Sequence, residues 1–208
     1  MYYFPDTRNV CAGEGNINKR DLLYVSVDRS LDPDSYGSEG DRTLKLPQGA
    51  IEGDQQVVMC GAKFFDAIEG SDQNDIIEAS DVTMTGDDKA VELFGGDGND
   101  RLLGGDQDDT IEGGAGDDVL IGGAGDDTLK GGSGKNTYLI EGDDTIEGSD
   151  GVDIIYIRRP KSNVSMSNCS KSKCTISDDS SYEGDPKFKA SITKGDVLIF
   201  LDGRESLD

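Results

Sequence analysis

The sequence lacks histidine, which rules out several kinds of active site. None of its 208 residues is His, so a Ser-His-Asp triad, a His-ligated catalytic zinc and a His general base are excluded. Adjacent carboxylates such as Asp117 and Asp118 are frequent. Glycoside hydrolysis, however, requires two acids that face each other across a cleft, one of them in an apolar setting. We therefore expect a protein that is not an enzyme and has no catalytic residues.

Basic residues and long hydrophobic runs are also scarce. Lys and Arg number 20 against 43 Asp and Glu, which gives a formal net charge of −23. Nucleic acids and anionic membranes are bound by clustered Lys and Arg, so we expect no nucleic-acid partner. No apolar stretch approaches the roughly 20 residues that a membrane-spanning helix needs. The sequence therefore predicts no transmembrane segment.

Glycine, in contrast, is abundant and recurs with a fixed period. From Gly95 to Leu139, five nine-residue blocks follow each other without a gap: GGDGNDRLL, GGDQDDTIE, GGAGDDVLI, GGAGDDTLK and GGSGKNTYL. A fixed period indicates one structural unit that is repeated and stacked. Weaker copies extend the pattern in both directions, with a seven-residue irregularity at 79–85. They occupy residues 61–69, 70–78, 86–94, 141–147 and 148–156.

The nine positions of the block, numbered as slots one to nine, predict a coil of short strands and turns. Glycines at slots one, two and four are expected to allow the positive φ of a tight turn. The apolar slot eight is expected to point inward from a strand, whereas slots seven and nine point to solvent. Turn, strand, turn and strand then complete one coil in two blocks, with neighbouring coils roughly 4.8 Å apart. The slot-eight residues are Leu102, Ile111, Leu120, Leu129 and Tyr138.

The acid at slot six predicts a metal site. One apolar residue in nine buries little area, while ordering each residue costs about 1–2 kcal/mol, and stacked carboxylates repel each other. A cation held by carboxylates and turn carbonyls removes that repulsion, and hard oxygen ligands in a flexible turn favour calcium. Two blocks per coil place slot six in two columns, with on the order of five shared calcium ions. The columns are Asp100, Asp118, Asn136 and Asp153, and Asp109, Asp127 and Asp144.

Other turn residues complete the predicted calcium sites. Asn136 replaces an acid and follows Lys135, and Gln107 replaces a turn glycine, so both turns are expected to bind less well. The further predicted ligands are acids and glycines of the turns: Asp97, Asp106, Gly96, Gly98, Gly105, Gly114, Gly116, Gly123, Gly125, Gly132 and Gly134.

The block Gly-Gly-x-Gly-x-Asp-x-apolar-x resembles the RTX (repeats-in-toxin) calcium-binding nonapeptide repeat. The resemblance implies a right-handed parallel β-roll, or β-solenoid, in a secreted protein. The segments NVSMS, CTISD and GDVLIFLDG resemble the β-hairpin segment that caps such rolls and helps to carry a secretion signal. We thus expect an all-β chain with an irregular N-terminal cap at 1–51, a calcium β-roll at 52–156 with its best repeats at 95–156, and an antiparallel hairpin cap at 157–208.

Four cysteines are compatible with disulfides in an oxidising compartment. Cys169 and Cys174 flank a short polar loop, which suits a hairpin disulfide and leaves Cys11 and Cys60 as a second pair. Four cysteines allow three pairings, and the sequence does not choose between them. The alternative is four unpaired thiols. Disulfides and millimolar calcium would both place the protein outside the cytosol, secreted or at the cell surface.

Two functions of different classes remain open. The first is a structural calcium-binding module that folds and becomes rigid on calcium binding, with a stabilising or secretion-linked role. The second is a non-catalytic module of a larger secreted protein that binds an anionic polysaccharide or a cell-surface glycan. The second would use a basic cluster whose alternative role is pairing with the acidic roll. That cluster consists of Arg158, Arg159, Lys161, Lys171 and Lys173.

Overall fold

The fold consists of β-strands throughout the segments that the computed structural model describes. These are residues 22–26, 43–45, 56–60, 66–79, 90–141, 143–147, 151–158, 164–167, 173–178, 189–193, 196–200 and 203–206. Every helix or strand element in them is a strand, which confirms the predicted all-β class. Within these segments, no helix has the length and apolar character needed to cross a bilayer.

The strands form two sheets, and successive strands of the repeat region alternate between them. In spatial order, sheet 1 contains β1 (Leu22–Ser26), β3 (Gln56–Cys60), β5 (Asp75–Glu78), β7 (Arg101–Leu103), β9 (Val119–Ile121), β11 (Thr137–Ile140), β13 (Ile154–Ile157), β17 (Val197–Phe200) and β18 (Gly203–Ser206). Sheet 2 contains β14 (Val164–Ser167), β15 (Lys173–Asp178), β16 (Lys189–Thr193), β12 (Thr145–Glu147), β10 (Thr128–Ser133), β8 (Thr110–Ala115), β6 (Glu92–Asp97), β4 (Ala67–Glu69) and β2 (Thr43–Lys45).

The strand register confirms that two nine-residue blocks make one coil. Thr110 of β8 lies beside Thr128 of β10, eighteen residues later, in parallel pairing. The spacing varies outside the central blocks. Ile76 pairs with Arg101, 25 residues later, and the seven extra residues match the irregularity at 79–85. Thr128 pairs with Thr145, 17 residues later, where the shortened block lies. A parallel β-roll is therefore the architecture of the repeat region.

Parallel pairing is present on both sides of the predicted roll limits. Strand β1, which lies before residue 52, pairs parallel with β3, and strand β17, which lies after residue 156, pairs parallel with β13. Between β13 and β16, strands β14 and β15 form an antiparallel pair at the edge of sheet 2, and β18 pairs antiparallel with β17. These pairs confirm the predicted antiparallel hairpin at the C-terminal end. The division at residues 51 and 156 stays a prediction.

The interior between the sheets is filled by slot eight. All five slot-eight side chains of the central blocks are completely buried in one hydrophobic cluster, as predicted. Slots seven and nine differ between the sheets. Those of sheet 2 are mostly polar, whereas sheet 1 carries apolar residues, and Ile121 and Leu139 are only 4% and 7% exposed. The prediction that slots seven and nine point to solvent was therefore wrong for Ile121 and Leu139, which occupy slot nine in sheet 1.

The predicted disulfides lie outside the described residues. Cys11 and Cys169 fall in segments that are not described, and for Cys60 and Cys174 only the backbone is described, in β3 and β15.

Candidate metal centre

Slot-six side chains form two continuous columns that link successive coils. In the first column, the backbone N–H of Asp100 donates to Asp118 Oδ1 at 2.8 Å, and the N–H of Asp118 donates to Asn136 Oδ1 at 3.0 Å. In the second column, the N–H of Asp109 donates to Asp127 Oδ1 at 2.8 Å. One oxygen of each of these side chains therefore replaces a backbone acceptor for the coil before it. The same bond joins Asn136 N–H to Asp153 Oδ1 at 2.9 Å and Asp127 N–H to Asp144 Oδ1 at 3.4 Å.

Two residues that were not among the predicted ligands extend the first column. The N–H of Asp75 donates to Asp100 Oδ1 at 2.8 Å, and the N–H of Asp153 donates to Asp196 Oδ1 at 3.0 Å. The sequence signal for Asp75 is slot six of the weak block at 70–78. For Asp196 it is the spacing Asp-x-Leu of the repeat, carried by Asp196 and Leu198.

The slot-six carboxylates lie inside the roll, not at its hydrated edge. Asp100, Asp118 and Asp127 are each only 1% exposed. The neighbouring slot-five side chain of Asp117 is exposed. Asp97 and Asp106, at slot three, are also exposed and do not join the columns. The structure thus brings together the slot-six residues of the predicted site and leaves the slot-three acids in solvent.

Glycine is present in the turns for two different structural reasons. Eight of the nine predicted glycine ligands have positive φ, at slots two and four, and Gly105 is the exception. The slot-one glycines of the five central blocks do not have positive φ, contrary to the prediction. A Cβ on Gly113 would overlap Asp118 Oδ2 and would lie 2.7 Å from the carbonyl oxygen of Gly131 in the next coil. Slot one is glycine because the carboxylate and a carbonyl already fill that space.

This crowding makes Gly113→Ala a destabilising change. Forcing a methyl group against fixed backbone and carboxylate oxygens is expected to cost about 1–3 kcal/mol. Gly105→Ala is the matched control, because a Cβ there would meet nothing closer than Asp109 Oδ2 at 3.8 Å. Urea unfolding of both variants in calcium measures the difference. Equal losses would contradict the proposed reason for glycine at slot one.

Three of the columns' carboxylates have an oxygen without a hydrogen-bond partner. In the described part of the chain, Oδ2 of Asp100, Asp118 and Asp127 is buried and receives no hydrogen bond. Leaving a buried polar atom unpaired costs about 1–3 kcal/mol, and more when the group is charged. Burial accordingly raises the pKa of Asp100 to about 7 and that of Asp118 to about 6. The pKa of Asp127 is also raised, first by burial and then by the charges of Asp144 and Asp109.

The donor set around these oxygens suits a hard cation. A Cβ on Gly95 would overlap both Asp100 Oδ2 and the carbonyl oxygen of Gly113, so oxygens from successive coils lie close together beside this glycine. No group of three or more acidic or cysteine side chains converges on one point among the described residues. The remaining donors for a cation would therefore be backbone carbonyls. Carboxylate and carbonyl oxygens in a turn are ligands that calcium accepts in variable number and geometry.

The turn that contains Asn136 differs from these three. Asn136 carries an amide in place of the carboxylate, and the Tyr138 hydroxyl approaches the same slot-one glycine, Gly131. Burial raises the pKa of Tyr138, so its phenol stays neutral. A neutral amide and a phenol offer a cation less than a carboxylate, and the weaker calcium site expected there stays a prediction.

Comparison with known families identifies the repeat. The model of the RTX calcium-binding nonapeptide repeat (4 copies) matches residues 83–111, 103–138 and 141–156. These ranges include the three carboxylates with an unpaired oxygen. No curated protein matches the chain.

Proposed function

Because the chain carries RTX calcium-binding nonapeptide repeats, we propose that it is a structural module of a secreted protein that folds and becomes rigid when calcium binds. The observation that supports this most directly is the unpaired Oδ2 of Asp100, Asp118 and Asp127 inside the roll. A bound calcium ion supplies the positive charge that these oxygens lack. Without it, three buried carboxylates either carry uncompensated charge or take up protons.

The two oxygens of each carboxylate have separate tasks in this proposal. Oδ1 of Asp118 accepts the N–H of Asp100 and so holds the preceding coil. Oδ2 is left for the cation, together with carbonyls of the turns. Binding free energy at such a site becomes folding free energy, because the columns exist only in the coiled chain.

The link to secretion follows from calcium concentration. A roll whose ions bind in the range of extracellular calcium, 10⁻⁴–10⁻³ M for extracellular modules, would stay unfolded in a low-calcium cytosol. It would then fold after export. We propose a non-catalytic, stabilising role on these grounds, since the slot-six acids are buried and hold backbone N–H groups of the neighbouring coil.

Binding of an anionic glycan is the less supported candidate. Arg158, a member of the basic cluster, pairs with Glu141, which favours pairing with the acidic roll. Arg159, Lys161 and Lys171 lie outside the described residues, and only the backbone of Lys173 is described. A glycan array in calcium, with and without neutralised Arg158 and Lys173, tests this candidate.

Calcium titration tests the main proposal. We expect a cooperative gain of β signal in far-UV circular dichroism as calcium is added to chelated protein, because the ions couple both columns to folding. Magnesium is the control, and it should be far less effective because it demands near-octahedral geometry and retains its waters. A spectrum that chelator leaves unchanged, with no calcium uptake, would show that the roll does not need calcium to fold.

A further inference from the structure

We infer that the turns of the roll are of two kinds, open turns that require calcium and closed turns in which a backbone N–H takes the place of the ion. The inference rests on the proposed calcium function and specifies which turns serve it. The two kinds are distinguished by what contacts Oδ2 of the slot-six carboxylate.

In a closed turn, Oδ2 accepts a hydrogen bond from within its own turn. The N–H of Gly105 donates to Asp109 Oδ2 at 2.6 Å. The N–H of Ser71 donates to Asp75 Oδ2, also at 2.6 Å, and the Ser71 hydroxyl adds a second contact at 3.0 Å. The N–H of Glu141 donates to Asp144 Oδ2 at 3.2 Å. These three carboxylates are already satisfied by the chain.

In an open turn, the same oxygen has no donor. The open turns end at Asp100, Asp118 and Asp127. Asp109 and Asp127 give the closest comparison, because they occupy the same column one coil apart and the N–H of one donates to Oδ1 of the other. Both side chains are buried, at 2% and 1% exposure. The difference at Oδ2 therefore arises within the turn.

The cause is the residue at slot four. Each open turn has a glycine there with positive φ, namely Gly98, Gly116 or Gly125. The closed turns have Gln73 or Gln107 at slot four, or belong to the shortened block before Asp144. A side chain at this slot disfavours positive φ. The backbone then takes a different path, in which Gly105 leaves the left-handed region and its N–H points at the carboxylate.

The consequence is a smaller set of calcium-dependent turns than the columns alone suggest. The columns predicted on the order of five ions. Among the described residues, three carboxylates are open, so the ions should depend on Asp100, Asp118 and Asp127. The turns of Asp75, Asp109 and Asp144 should close at any calcium concentration that permits folding.

Matched asparagine variants of the full chain test this inference. Asparagine retains the Oδ1 acceptor for the neighbouring coil, and Asn136 shows that the column accepts it. Asp127→Asn should reduce the number of calcium ions bound per chain in isothermal titration calorimetry. Asp109→Asn should leave that number unchanged. It should instead lower the urea midpoint, because its amide would face the N–H of Gly105.

Gln107→Gly provides the reverse test and does not depend on the stability of either asparagine variant. Restoring the slot-four glycine should open the turn of Asp109 and add bound calcium. An Asp109→Asn variant that loses as much calcium as Asp127→Asn, or a Gln107→Gly variant with unchanged stoichiometry, would overturn the inference. Wild-type protein that binds no calcium would instead reject the proposed function itself.

Discussion

Asp118→Ala is expected to lower the free energy of unfolding in saturating calcium by about 4–6 kcal/mol. The variant leaves the buried N–H of Asp100 without its acceptor, which costs about 1–3 kcal/mol. It also removes a calcium ligand, and loss of one ion at a free concentration 100-fold above its Kd removes about 2.7 kcal/mol. Both losses fall on the folded state alone. Urea unfolding followed by circular dichroism measures the sum.

Asp117→Ala is the matched control, one residue away. Its Oδ1 accepts the N–H of Lys135 at 2.8 Å, but the side chain is exposed and water can replace it. The expected loss is about 1 kcal/mol or less. If the two variants lost the same stability, the assignment of slot five to solvent and slot six to the interior would be wrong.

In chelator, the roll is expected to be most stable near pH 4 and to lose stability as the pH rises to about 7. Burial raises the pKa of Asp100 to about 7 and that of Asp118 to about 6, from a usual 3.8. Between these values the folded chain holds protons that the unfolded chain releases, so stability falls as pH rises. Once the pH exceeds the folded-state pKa values, these two groups are ionised in both states and their contribution no longer changes.

Calcium should reverse this dependence. The ion binds the ionised carboxylates, so protons compete with it and acid weakens binding. In calcium, stability is therefore expected to rise over the pH range in which it falls in chelator. The β signal in far-UV circular dichroism from pH 4 to pH 8, with and without calcium, gives the two curves, because the chain in chelator is expected to be unfolded at neutral pH and has no urea midpoint there. Curves of the same slope would show that the buried carboxylates are not the groups that bind calcium.

Much of the architecture could be predicted because the period of the repeat determines which residues lie beside each other in successive coils. A nine-residue period with one apolar slot predicts short parallel strands, and two blocks per coil predict which slot-six residues lie above one another. The pairing of Thr110 with Thr128 and the bond from Asp100 to Asp118 agree with this phase. Asp196 escaped prediction because 43 residues separate it from Asp153, its neighbour in the column.

Contacts between turns could not be predicted from the period. The slot-one glycines are adjacent in sequence to slot two, where positive φ is required. The sequence therefore suggested that glycine is needed at both slots for the same reason, positive φ. Only the position of Asp118 Oδ2 above Gly113 shows that space is the reason at slot one. The apolar outer face of sheet 1 was readable in principle. Ile121 and Leu139 both come from blocks of that sheet, and averaging over all blocks concealed them.

The alternation of strands between two sheets restricts how such a chain can grow or shrink. Deleting residues 104–121 would remove one whole coil, shorten the stack by about 4.8 Å and leave both columns in order. Deleting residues 104–112 alone would send every later strand to the opposite sheet and place Asp118 where Asp109 lies in the intact chain. Deletions of whole blocks that preserve the molecule should therefore remove them in pairs, whereas extra residues within one turn are accommodated, as between Ile76 and Arg101. The pair of blocks, not the single nonapeptide, is then the unit that can be gained or lost.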